Sequence, residues 1–123
     1  WGTGIETTAH LKENGRMCLM FCSFAKDPRI LRLHGTGEIL ERDHEEFNTL
    51  RGHFPKFDGT RSIIRLRVNR VAKSCGFGVP RYTFESHRDE LPRFASEWGP
   101  EKVATYTMEN NTTSIDGLPG IAQ

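Results

Sequence analysis

The stretch that most limits how this chain can fold is residues 68–91, VNRVAKSCGFGVPRYTFESHRDEL. Its flanks are rich in β-formers, yet Gly76, Gly78 and Pro80 interrupt them in close succession. Glycine accepts φ > 0 or lets another backbone or a ligand come close. Pro80 fixes its own φ and pushes Val79 towards an extended conformation. A plain hairpin needs only one short turn. The spacing therefore predicts a shaped crossing of a sheet, with a strand entering Ser74-Cys75-Gly76-Phe77-Gly78 and another leaving over 81–87. Segments of this kind border ligands or partner subunits more often than straight strands do.

The rest of the chain supplies the sheet. Thr3-Gly4-Ile5-Glu6 has the spacing of a capping box, and Asn14-Gly15 closes the helix that follows. RMCLMFCSFA at 16–25 is apolar on both faces and reads as a buried central strand, its Cys18, Met20 and Cys22 sharing one face. After the Asp27-Pro28 turn, residues 29–40 alternate, with Leu31, Leu33, Gly35, Gly37 and Ile39 on one side. The two glycines predict a bulge or barrel bend. A second capping box, Asp43-His44-Glu45-Glu46, opens a short helix that turns Phe47 and Leu50 inward. SIIRLRVNRV at 62–71 alternates again, placing Ile64, Leu66 and Val68 inside and Arg65, Arg67 and Asn69 outside. Leu91, Phe94, Ala95 and Trp98 follow helical spacing. Gly99-Pro100 ends that helix and starts another, which runs to about Asn110. The sum is mainly β with short helices, and an antiparallel split β-barrel is the natural closure, since glycine-bent strands cannot cover a core while flat.

A length of 123 residues suits one domain, 1–123, with 112–123 as an extended tail. A net charge of +1 gives no electrostatic case for nucleic acid, and no apolar run approaches a membrane span. Three cysteines without CxxC spacing fit reduced thiols and a cytoplasmic location, where the Asn110 and Asn111 sequons carry no glycan. The opening Trp1-Gly2-Thr3-Gly4 runs at once into a helix signal and reads as the interior of a longer protein.

Few constellations carry chemistry on spacing alone. Cys75 lies in the glycine break with Lys73 nearby, but a nucleophilic thiolate also needs a histidine that the sequence does not place. The five histidines show no metal-ligand spacing, so no metal is expected. Gly35-x-Gly37 and Gly76-x-Gly78 lack the third glycine and the strand-to-helix context of a dinucleotide fingerprint. The first helix start offers amides and hydroxyls at Thr3, Gly4, Thr7 and Thr8, a pattern that takes anions readily. Arg32, Arg65 and Arg67 could add charge from neighbouring strands. On residue types alone, Glu6 satisfying that helix end and the arginines forming a solvated face is the somewhat favoured reading.

GTGIETTAHLKENGRMCLMFC, RILRLHGTGEIL, the 68–91 stretch and SIDGLPG together resemble the pyridoxamine 5′-phosphate oxidase-like family of FMN-binding split β-barrels. SCGFGVP and SIDGLPG point to a bacterial and fungal branch of it. The resemblance implies a homodimer with FMN in the groove between subunits, and the phosphate held near Thr3, Gly4, Glu6, Thr7 and Thr8 with Arg32. It implies the isoalloxazine or dimer side of the groove near Ser74, Cys75 and Gly76. Family members carry a helix and strands before the point where this sequence begins, so it corresponds to the C-terminal two-thirds of the family domain. The Arg-Leu-x-Pro signature of authentic pyridoxamine phosphate oxidases is missing, which argues against vitamin B6 oxidation. Two readings follow. One is an FMN-dependent oxidoreductase of unknown substrate and catalytic residues, without nucleic-acid or membrane partners. The other is a non-catalytic flavin- or haem-binding split-barrel module, or a fragment with an incomplete site.

Overall fold

A computed structural model describes residues 4–121. Thr3, and with it the hydroxyl half of the first capping box, lies outside the described residues. The elements in order are α1 (Glu6–Asn14), β1 (Arg16–Cys22), β2 (Arg29–Glu41), α2 (Phe47–Arg51), β3 (Ser62–Cys75) and α3 (Glu90–Asn110). The strands form one sheet in the order β1-β2-β3, and β1 pairs antiparallel with β2. No strand closes this sheet into a barrel among the described residues.

Local sequence signals explain most boundaries. Gly15 takes the left-handed conformation (φ 67°) that ends α1, its N–H donating to the Leu11 carbonyl. Gly99 (φ 71°) breaks α3 in the middle, and Pro100 begins its second half, as the Gly-Pro pair requires. α1 itself starts later than the capping box implied. Ile5 stands at the N-cap without a side-chain cap bond, and Glu6 is the first helical residue. At α2 the N-cap is Glu46, again without a side-chain cap, while the His44 ring accepts the Glu46 N–H. Uniform pairing of residues 16–22 with 30–36 leaves no bulge at Gly35 on that side of β2. Gly35 is needed for another reason: a Cβ there would sit 2.0 Å from the Arg67 carbonyl oxygen.

The chain divides into two compact units. The first comprises the N-terminal residues through Gly15, Glu38–Arg65, and the segment from Arg88 onward. It holds the core: Leu40, Phe47 and Ile63, with Leu50 packed against them. Ile5, Ala9, Leu11, Ala95 and Val103 are buried in the same unit. Phe47 and Leu50 thus face inward as the pattern predicted. The strands do so only in part: Gly37 is buried as expected, but Leu40 rather than Ile39 is fully buried, and Ile63 rather than Ile64 is buried. A shift of one residue inverts every strand side chain, and neighbouring apolar residues such as Ile63-Ile64 satisfy either phase.

The second unit, Arg16–Gly37 with Leu66–His87, is a sheet in which nine large apolar side chains stay exposed. β1 is an edge strand, not the buried central one expected. Met20 is 57% exposed and Phe21 54%, and Cys18 is exposed too. Residues 81–87 form no strand, although their composition favours one. The Tyr82 N–H does reach the Phe24 carbonyl (3.1 Å), and the two rings meet edge-on at 5.4 Å. A strand needs a neighbour along its whole length, and 81–87 finds this one backbone contact just beyond the end of β1.

Candidate functional site

In the first unit, the start of α1 opens on a cavity of about 890 Å³. Its wall is made by residues 4–8 of α1 and its approach, by 57–62 from the loop into β3, and by Arg88, Leu91 and Pro92. The first intrahelical bond runs from the Ala9 N–H to the Ile5 carbonyl, so the amides of Glu6, Thr7 and Thr8 precede the helical ladder. Aligned peptide dipoles give such a turn partial positive charge. Thr7 is exposed at this mouth, whereas Thr8, also lining it, is 3% exposed and faces the interior.

Arg61 and Arg88 bring cationic charge to the same wall. Arg61 donates to the Asn111 side-chain oxygen (2.7 Å) and to the Gly4 carbonyl (2.8 Å), fixing the approach to α1 from two sides. Burial pulls its guanidinium below the ordinary arginine range. Asn111 is fully buried beneath it, which also removes this sequon asparagine from the surface. Arg88 is 91% exposed and only loosely paired, 3.5 Å from Glu90. Spacing gave no sign of either arginine. Arg61 owes its place to a partner fifty positions away in sequence.

Glu6 lies at the cavity edge, but its carboxylate is turned to the C-terminal segment. One oxygen accepts the Ile115 N–H at 2.9 Å, and the other lies 3.6 Å from His10 Nε2. The SIDGLPG segment is therefore an organised turn packed onto α1. Gly117 (φ 78°) makes the bend, Ser114 and Leu118 bond across it, and Thr113 bridges to Pro119. Lys12 reaches from α1 to the Gly120 carbonyl and to Glu41.

The remaining predicted contacts belong to the second unit. Arg32 donates to the Ser74 hydroxyl at 2.9 Å, which joins two of the residues the sequence had grouped. Gly76 is buried with its N–H on the Pro28 carbonyl (3.0 Å), and a Cβ there would lie 2.7 Å from the Arg29 nitrogen. Close approach of backbone, not positive φ, is what this glycine provides. Cys75 is an exposed, free thiol. The cysteine that meets a histidine is Cys18, whose sulfur lies 3.9 Å from His34 Nε2 across the β1–β2 pair. Of the other arginines considered for anion binding, Arg65 is committed to Glu38 (2.7 Å) and Glu46 (3.0 Å) in the first unit. Hydrogen bonds to Glu38 and then Glu46 hold its guanidinium above the ordinary range.

The cavity is thus lined by helix amides that precede the ladder, one exposed threonine hydroxyl and two arginines. Comparison with known proteins then gives the family. The chain is 38% identical, over 98% of its length, to the pyridoxamine 5′-phosphate oxidase family protein ustO of Aspergillus flavus. It belongs to the pyridoxamine 5′-phosphate oxidase-like family. It spans about half (54%) of the length of this curated relative. No family model and no solved structure matches it.

Proposed function

We propose that this chain is the cofactor-binding part of an FMN flavoprotein, an oxidoreductase built on a split β-barrel that acts as a cytoplasmic homodimer. The observation that carries the reading is the cavity at the start of α1, with Thr7, Arg61 and Arg88 on its wall. Its donor set suits a phosphate: amides at a positive helix end, one exposed hydroxyl and two guanidinium groups. The Ile115 N–H turns the Glu6 carboxylate towards the tail, which moderates the one anionic feature at that end. Bound FMN supplies the hydride chemistry, while the residues here bind and orient it. Arg61 holds the approach to α1 in place, and Thr7 with the helix amides receives the phosphate. The second unit supports the dimer, since nine of the large hydrophobics found exposed belong to it, among them Met20, Phe21, Val71 and Phe77.

The test is spectroscopic. The purified chain incubated with FMN is expected to retain a flavin spectrum through gel filtration, sediment as a dimer and bleach with NAD(P)H. Retention without bleaching would favour the non-catalytic binding module. A protein that stays colourless and takes up no FMN would overturn both.

A further inference from the structure

Glu6, His10 and Asp116 place one imidazole nitrogen and two carboxylate oxygens within 4.8 Å of one another. We propose that they form a binding site for a divalent transition-metal ion of the zinc class, which fastens the SIDGLPG turn to the first turns of α1.

The three ligand atoms lie close enough together for one ion to bridge them. His10 Nε2 lies 3.6 Å from Glu6 Oε2 and 3.4 Å from Asp116 Oδ2. Both separations exceed the roughly 2.7–3.2 Å of a nitrogen–oxygen hydrogen bond. Metal bonds of about 2.0–2.1 Å set the ligand atoms of a tetrahedral ion about 3.3–3.5 Å apart, which includes the 3.4 Å separation and falls just short of the 3.6 Å one. The donor types agree, because imidazole with carboxylates suits zinc and its neighbours better than magnesium or calcium.

The scaffold is fixed on both sides. Glu6 and His10 are i and i+4 on α1 and share a face. Asp116 sits beside the left-handed Gly117 in a turn closed by Ser114 and Leu118. The Ile115 N–H holds the second Glu6 oxygen, the kind of outer contact that orients a ligating carboxylate. All three side chains keep 43–61% exposure, which leaves coordination positions for water. The spacing of histidines could not reveal this group, because its third member stands more than a hundred positions along the chain.

The proposal is independent of flavin. The chelator-stripped 123-residue chain is titrated with Co(II) and then with Zn(II). One equivalent of cobalt is expected to bind with the visible absorption of a four- or five-coordinate ion, and zinc to displace it. His10→Gln and Asp116→Asn, both at exposed positions, should each weaken binding about tenfold or more. Cys18→Ser should leave it unchanged, without a sulfur-to-cobalt band in the parent. Affinity unchanged in both ligand variants, or a sulfur-to-cobalt band lost in Cys18→Ser, would overturn the proposal. So would the absence of one-to-one binding below millimolar metal.

Discussion

Gly76 offers the sharpest check on how the glycine break is built. An alanine methyl there would lie 2.7 Å from the Arg29 nitrogen and 2.9 Å from the Pro28 carbonyl carbon. Both obstacles are backbone, and the Gly76 N–H is itself bonded to the Pro28 carbonyl, so the pair cannot part without losing that bond. Contacts this short must be relieved by several tenths of an ångström of main-chain movement. Overpacking of that kind costs about 1–3 kcal/mol. Gly78, two residues on, has nothing within 4 Å of a built Cβ and no positive φ. Gly78→Ala should be neutral or stabilise by up to about 1 kcal/mol, through the entropy of the unfolded chain. In urea, with a slope of about 1–3 kcal/mol per molar, Gly76→Ala should move the midpoint down by roughly 1 M at an unchanged slope. Gly78→Ala should not lower it. Equal midpoints for the two variants would refute the close-approach explanation of the motif.

Four further outcomes follow from particular side chains. Thr7→Ala should weaken FMN binding by about tenfold in a fluorescence titration, the loss expected for one hydrogen bond to a charged group, with little change in melting temperature. Thr8→Ala, at a buried position, should show the reverse, a fall in melting temperature of about 1 kcal/mol in equivalent stability with affinity kept. Leu40→Ala should cost about 2–5 kcal/mol by chemical denaturation, and Ile39→Ala clearly less, because Leu40 alone of the two is fully buried against Phe47 and Ile63. Glu46→Gln should lower the melting temperature at neutral pH, with the difference closing under acid. The Arg65 hydrogen bond depresses the Glu46 pKa, so its stabilisation is present above the unfolded value near ~4.3 and is lost as pH falls through the lower folded value.

What the sequence made legible were the features set by single residues. Gly15 and Gly99-Pro100 end and restart helices where expected, because left-handed backbone and a missing N–H leave few alternatives. The long alternating strand over 29–40 was read nearly to its ends. Strand phase was not legible at Ile39-Leu40 or Ile63-Ile64, where two adjacent apolar residues fit both faces equally. Nor was the pairing at 81–87, since β-propensity describes fitness for a ladder and cannot supply the neighbouring strand. At the candidate site, the start of α1 was visible from Thr7 and Thr8. Arg61 and the Glu6, His10 and Asp116 group were not, because each depends on contacts between distant parts of the chain.

The misjudged strand is β1, and the reason for the error bears on function. RMCLMFC has the composition of a strand covered on both faces, yet it lies at a sheet edge with Met20 and Phe21 exposed. An open apolar edge is an aggregation hazard that soluble proteins ordinarily blunt with charge, proline or a covering element. β1 carries one charged residue, Arg16, at its very start, and no proline. Its composition is therefore suited to cover from outside this unit. The proposed homodimer would provide that cover with a second copy, through a self-complementary surface of the kind two-fold symmetry requires. On this account the central-strand composition of β1 belongs to the assembled protein.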